Sequence, residues 1–313
     1  MKKILITGAG GFWGFHLARH LCQKGYQVTG TYHRKKTPGL GKIAWRFLDV
    51  TDGAMIAKTV RELKPDAICH LAGQSSLTLS WKMPEKTFSL NTLSTVYFLS
   101  AIQCFSPKTR FILTSSIHVY GRSFYKTGAP LSENDFTWPE GPYAVSKRIA
   151  EFACLDLNKQ FGIDCLVLRP INCIGPHLSG HFVFSDWSRQ IVACERRSRP
   201  ACLKVGNLQV RRDFLHISDG VRGYEKVLRR GKSGQIYNLS SQRAVPLRRY
   251  AESLVKLARV PVKIEVQRSR FRRFDPAAIR VSSAKLRKLG WKPKTEAITG
   301  LRDLLAQWRT QSA

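Results

Sequence analysis

The residues best suited to chemistry in this 313-residue chain lie in Gly141-Pro142-Tyr143-Ala144-Val145-Ser146-Lys147. The Y-x-x-x-K spacing puts Tyr143 and Lys147 one turn apart on the same face of a predicted helix. An ammonium beside a phenol stabilises the tyrosinate and draws its pKa down from about 10, which would make Tyr143 a usable general acid or base. Upstream, Leu113-Thr114-Ser115-Ser116 closes a β-rich run. Parallel sheets bind ligands at such carboxyl ends, so Ser116 is placed to hydrogen-bond a reacting oxygen. A tyrosine and a lysine at this spacing also occur as ordinary surface pairs, and the rest of the sequence decides between the two readings.

A second element of chemistry stands at the start of the chain. Thr7-Gly8-Ala9-Gly10-Gly11-Phe12-Trp13-Gly14 is a G-x-x-G-x-x-G loop that follows a strand pattern and opens an amphipathic helix, the context a dinucleotide site requires. Gly8 permits the tight turn, Gly11 lets a pyrophosphate reach the backbone, and Gly14 allows close packing of helix on strand. Phe12 and Trp13 are counted among the cofactor contacts. The second strand runs out at Thr31-Tyr32-His33-Arg34-Lys35-Lys36, with no carboxylate for ribose hydroxyls. Arg34 is suited to a 2′-phosphate, which favours NADP over NAD; a solvated basic loop is the alternative. Asp49, followed by Val50, is placed to bond an adenine, and Leu71-Ala72-Gly73 to line the pyrophosphate and nicotinamide ribose.

The elements that must position these groups follow from periodicity. Strands are predicted at Lys2 to Thr7, Gln27 to Tyr32, Ala44 to Leu48, Ala67 to Leu71, Arg110 to Ser115 and Asp164 to Arg169. Helices are predicted at Phe12 to Lys24, Gly53 to Leu63, Pro84 to Phe105 and Pro142 to Phe161. Strands separated by helices imply right-handed crossovers and an α/β fold: a doubly wound parallel Rossmann sheet over residues 1–170. Beyond Pro170 the pattern loosens into a smaller C-terminal substrate-binding lobe, 171–313. Segments near 210–240, including a strand at Gln235 to Leu239, are expected to return to the first domain.

Bulk properties narrow the function further. The eight cysteines form no C-x-x-C pair and most lie in apolar stretches, which suits a reducing cytoplasm. No histidine spacing puts two metal ligands on one helical face, so no metal is expected. No apolar run is long enough to span a bilayer, and Met1 to Gly8 reads as a strand, not a signal peptide. A formal net charge of +31 admits nucleic-acid binding through phosphate neutralisation, but the basic residues are spread along the whole chain. That spread favours a solvated basic surface with some attraction for anionic substrates.

Together, the glycine loop, Ser116, Tyr143 and Lys147 resemble the extended short-chain dehydrogenase/reductases, and the resemblance covers nearly the whole chain. His70 to Ser76 with Ser80-Trp81, Asn91, Arg169-Pro170-Ile171-Asn172 and Ile174-Gly175-Pro176 are similar to the GDP-mannose branch of that family. So are Phe182-Val183, Arg189-Gln190-Ile191, Val205-Gly206-Asn207-Leu208, Arg212-Asp213-Phe214 and Ile236-Tyr237-Asn238, most closely to its keto-sugar reductases. The resemblance implies NADPH-dependent reduction of the C4 ketone of a nucleotide-linked 4-keto-6-deoxyhexose, GDP-4-keto-6-deoxymannose going to GDP-rhamnose, with NAD as the other cofactor to consider. It also implies substrate contacts at Ser75, Asn172, Val183, Arg212 and Arg272, with Arg270 as an alternative to the last. A homodimer is implied too, through the helices of Pro84 to Phe105 and Pro142 to Phe161.

Sister dehydratases carry a Thr followed two residues later by a Glu that removes a proton; Ser116-Ile117-His118 has no carboxylate there. His118 is then either a base or a structural residue. Asp186 likewise stands where the dehydratases usually have a basic residue, as it does in the reductases. A 4-epimerase uses the same Ser, Tyr and Lys and stays open, as does a 4,6-dehydratase. Ser94 replaces the usual glycine of N-x-x-G-T, and Gly73 a common alanine. The competing reading from another class is a non-catalytic protein that keeps the dinucleotide fold and holds RNA or another polyanion.

Overall fold

The computed structural model describes residues 2–41, 43–125, 128–271 and 275–311. The first half alternates β1 (Lys3–Thr7), α1 (Phe12–Gln23), β2 (Gln27–Tyr32), β3 (Ala44–Phe47), α2 (Gly53–Leu63), β4 (Ala67–His70), α3 (Leu77–Lys82), α4 (Pro84–Phe88), α5 (Ser94–Phe105), β5 (Arg110–Thr114), α6 (Gly141–Phe161) and β6 (Cys165–Pro170). The second half contains β7 (Cys173–Ile174), α7 (Val183–Glu195), β8 (Ala201–Val205), β9 (Arg211–Arg212), β10 (Leu215–His216), α8 (Ile217–Arg230) and β11 (Ile236–Leu239). It closes with β12 (Val245–Pro246), α9 (Leu247–Leu257), β13 (Val262–Val266), α10 (Ala284–Lys288) and α11 (Ala297–Thr310).

Seven parallel strands form the central sheet in the order β11-β6-β5-β4-β1-β2-β3, the doubly wound sheet the periodicity predicts. Strand alternation supplies both of its faces. Ile4 and Ile6 pack with α1 and α8 through Leu17, Leu21, Val221 and Val227, while Leu5 packs on the other side with Phe98, Ile102 and Val167. A third cluster joins Phe184 and Trp187 of α7 to Leu203 and Val205 of β8, Tyr250 of α9 and Leu301 and Leu304 of α11. The strand expected at Gln235 to Leu239 is β11, which runs parallel to β6 at the edge of the central sheet.

The helix predicted over Pro84 to Phe105 follows one path, but its middle is wound as a π-helix at Ser89–Leu93. The side chains there explain the extra residue per turn. Asn91 is buried and bonds Gln74 and Ser146 outside the helix, while Ser94 and Thr95 donate back to the carbonyls of Leu90 and Asn91 at 2.6 and 3.0 Å. Such bulges gather at functional sites, and this one faces α6. No helix among the described residues is long and apolar enough to cross a membrane.

Candidate active site

The carboxyl ends of β1, β4 and β5 converge on one crevice, at the point where the chain leaves β1 toward β2 on one side and β4 on the other. Thr7 at the end of β1 ties its rim: its Oγ1 accepts from the backbone N–H groups of Leu71 and Ala72 at 3.1 and 3.0 Å and bonds His70 Nδ1 at 2.8 Å. His70 Nε2 reaches Ser94 Oγ at 3.0 Å, and burial drops the imidazole pKa to about 3, so the ring is neutral. Ser94, in place of a glycine, therefore has a partner within the crevice wall.

The glycine loop has the shape a pyrophosphate cradle needs. Gly8 adopts φ +67°, and a Cβ there would stand 2.9 Å from the Ala72 backbone. A Cβ on Gly14 would fall 2.1 Å from the Gly8 carbonyl oxygen, so only glycine lets α1 sit this close to the turn. Phe12 and Trp13 are half-buried beyond the loop, Trp13 packing where a Cβ on Gly220 would meet its ring at 2.7 Å. After β2 the chain folds back over the loop, Thr37 Oγ1 donating to the Gly10 carbonyl at 3.4 Å. Arg34 is exposed in that return segment and makes no ion pair among the described residues. Asp49 follows β3 and accepts from Thr51 N and Oγ1 at 2.8 and 2.7 Å, bonds that hold its carboxyl below the usual range. Val50 beside it is buried, Leu71 and Ala72 are half-buried, and Gly73 is open to the crevice.

Ser116, Tyr143 and Lys147 meet at the end of β5, all three buried. Pro142 in the first turn starts α6, and the Trp81 ring closes over Gly141, where a Cβ would meet it at 3.1 Å. The Ser116 hydroxyl hydrogen-bonds the Tyr143 phenol, and the His118 ring stands edge-on to it with centroids 6.2 Å apart. The pKa order differs from the expectation that Lys147 lowers the phenol. Burial dominates and raises the Tyr143 pKa, with the Ser116 bond pulling against it. Lys147 Nζ instead donates to the Thr114 carbonyl oxygen at 2.9 Å. Burial lowers the Lys147 pKa to about 8, against the pull of Glu151. A protonated, buried phenol is a proton donor, not a resting base.

The sequence singled out no role for what lies beneath this trio. Glu151, one turn beyond Lys147 on α6, accepts from Ser115 Oγ at 2.5 Å and from Arg169 Nε and Nη2 at 2.8 and 2.7 Å. Arg169 in turn lies over the Tyr120 ring. Burial opposes its charge, but the Glu151 carboxylate keeps it ionised. Asn91 bridges the other side: its Oδ1 accepts from Gln74 N at 2.9 Å and its Nδ2 donates to the Gln74 carbonyl and to Ser146 Oγ, both at 3.0 Å. A Cβ on Gly73 would fall 2.5 Å from Asn91 Oδ1, so the departure from alanine at this position accommodates Asn91. The i+4 spacing of Lys147 and Glu151 was the available signal; it does not say which partner the carboxylate takes.

The residues expected at the substrate are less closely gathered. Ser75 and Asn172 are exposed at the ends of β4 and β6, and Val183 begins α7. Arg212 is buried, ion-pairs with Asp275 and donates to the Pro276 carbonyl at 2.8 Å. Arg272 lies outside the described residues, and Arg270 is held at the surface by Asp186 at 3.1 Å. Among the described residues there is no cluster of His, Cys, Asp and Glu able to hold a metal.

A family model described as GDP-mannose 4,6 dehydratase matches residues 5–304. Among curated relatives, a GDP-6-deoxy-D-mannose reductase of Pseudomonas aeruginosa is 32% identical over 99% of this chain and 98% of its own. A GDP-mannose 4,6-dehydratase of Yersinia enterocolitica is 30% identical over 71% of this chain and 63% of its own. Among solved structures, RMD of Pseudomonas aeruginosa complexed with NADPH superposes with a TM-score of 0.83 at 31% identity, covering 99% of both chains. An epimerase-like protein of Burkholderia cenocepacia gives 0.87 at 25% identity, again over 99% of both.

Proposed function

The chain belongs to the GDP-mannose 4,6-dehydratase family, and within it we propose an NADPH-dependent reductase that converts GDP-4-keto-6-deoxymannose to GDP-rhamnose. The observation that carries the reading is the trio itself. Ser116, Tyr143 and Lys147 are assembled, while His118 stands where a dehydratase holds its carboxylate.

The glycine cradle of Gly8, Gly11 and Gly14 holds the pyrophosphate of the dinucleotide, with Phe12, Trp13, Leu71, Ala72 and Gly73 beside it, Asp49 and Val50 at the adenine and Arg34 at the 2′-phosphate. When bound, NADPH supplies the hydride for the C4 ketone. Ser116 donates a hydrogen bond to the ketone oxygen and Tyr143 delivers the proton as negative charge develops there. Its raised pKa keeps that proton in place at neutral pH. Lys147, with a pKa near 8, supplies the positive charge that stabilises the phenolate left behind. Ser75, Asn172 and Val183 contact the nucleotide sugar, and Arg212, oriented by Asp275, meets its diphosphate together with Arg272.

The functional unit is a homodimer built on α5, the π-helical turn before it and α6, where Leu93, Ile149 and Phe152 are exposed apolar residues. Eight cysteines with no C-x-x-C pair among them suit a reducing cytoplasm. The test of the activity is NADPH oxidation in the presence of enzymatically generated GDP-4-keto-6-deoxymannose, comparing wild type with Tyr143→Phe. Rapid oxidation abolished by the substitution is the expected result. Correctly folded wild type that binds NADPH but oxidises none would overturn the reductase reading in favour of an epimerase.

A further inference from the structure

Strand β9 has two residues, and alternation sends their side chains to opposite faces. Arg212 turns inward to Asp275. Arg211 turns outward, and its Nη2 donates to the Ala244 carbonyl oxygen at 3.0 Å. On this outer side lies an open hollow of about 560 Å³, lined by Arg211, Arg243 and Arg280 with Gln242, Val245 and Ala278. Among the described residues no carboxylate lines it.

The three arginines come from three neighbouring backbone segments. Val245 of β12 pairs with Arg212, Ala278 bridges to Arg211, and Arg243 stands in the turn before β12. Several arginines of this chain find carboxylates: Arg110 pairs with Asp164, Arg169 with Glu151 and Arg309 with Glu195. Among the described residues Arg211, Arg243 and Arg280 have no such partner. Arg280 is instead fixed by the Gly128 carbonyl oxygen at 2.8 Å, as Arg211 is by that of Ala244. A carbonyl tether orients a guanidinium without neutralising it and leaves its other N–H groups free to donate. Three like charges around one concavity, two of them held by carbonyl tethers, repel one another until an anion enters.

We infer that the outer face of the β9–β12 ribbon is a second anion site, separate from the proposed active site, that takes the oligophosphate chain of a small metabolite. The volume exceeds what a single phosphate ion fills and lies in the range of small-ligand pockets. Planar donors arranged around it suit several phosphoryl oxygens at once, each guanidinium engaging a pair. The site also gives one local meaning to part of the +31 charge, which the proposed reductase chemistry does not use.

The test is isothermal titration of the whole protein with inorganic tripolyphosphate after saturation with NADPH and GDP, so that the active-site phosphate positions are filled. One further equivalent is expected to bind. Arg243→Ala and Arg280→Gln should each weaken it about tenfold while leaving NADPH-dependent turnover unchanged, as expected for loss of one charge-assisted contact. Arg302→Ala, an exposed arginine on α11, should change nothing. Absence of binding to the saturated protein would overturn the inference. So would equal weakening by Arg302→Ala, because binding would then be a diffuse property of the basic surface, as RNA would also report.

Discussion

Replacing Arg169 by Met tests the buried pair beneath the catalytic trio. Glu151 is 0% exposed and Arg169 1%, so neither charge has access to water. Removing the guanidinium deletes two hydrogen bonds of 2.8 and 2.7 Å and leaves the carboxylate with Ser115 and the partly exposed Arg148 at 3.0 Å. Breaking one side of a buried pair costs about 3–5 kcal/mol, and the two remaining donors place this case near the lower end, about 3 kcal/mol. Because a domain is stable by only about 5–15 kcal/mol, the loss should be plain in a urea denaturation curve followed by tryptophan fluorescence. Glu151→Gln with Arg169→Met should recover most of it, since no buried charge then stands alone. A second readout concerns Lys147, whose pKa of about 8 is already lifted by Glu151. With Arg169 gone, the uncompensated carboxylate should move the alkaline limb of kcat/KM upward. A destabilisation below about 1 kcal/mol, or a double variant as unstable as the two single losses summed, would refute the argument.

Gly14→Ala places a methyl group 2.1 Å from the Gly8 carbonyl oxygen, and NADPH affinity measured by fluorescence titration should fall at least about tenfold. In wild type, kcat/KM should decline above pH about 8 as Lys147 loses its proton, and an invariant rate to higher pH would exclude a role for its charge. Acid stability should follow the buried histidines. His70 and His16 have folded pKa values lowered by burial to about 3 and about 4, so the unfolded chain takes up protons first as pH falls below 6.5. Each should cost about 1.4 kcal/mol per pH unit until its folded pKa is reached, and His70→Gln should remove one proton from the slope. Phe152→Glu, at a side chain 56% exposed on α6, should convert a dimer to monomer in sedimentation without unfolding it.

Local sequence determined the dinucleotide fold and the identity of the reacting groups. The glycine loop, the strand and helix periods and the Y-x-x-x-K spacing depend on neighbours along the chain: a turn that admits only Gly, a strand that alternates, two side chains one helical turn apart. Helix boundaries were legible wherever Pro142, Asp52 or Gly162 starts or stops a helix by its own geometry. The π-helical turn was not, because the side chain of Asn91 at its centre bonds Gln74 and Ser146, which are distant in sequence.

Tertiary structure alone decided the electrostatics. Tyr143 and Lys147 at this spacing suggest a lowered phenol pKa, but packing buries both and points the ammonium at Thr114, so desolvation sets the order. Glu151 is an ordinary helix carboxylate in sequence and becomes the counter-charge of Arg169 only when β6 lies against α6. Arg211 and Arg212 are adjacent and chemically identical, yet the strand turns one to Asp275 and the other to an outer hollow. The chain code specifies which groups are present; the distances and the exclusion of water, on which a charge in a low-dielectric site depends, exist only once distant segments meet.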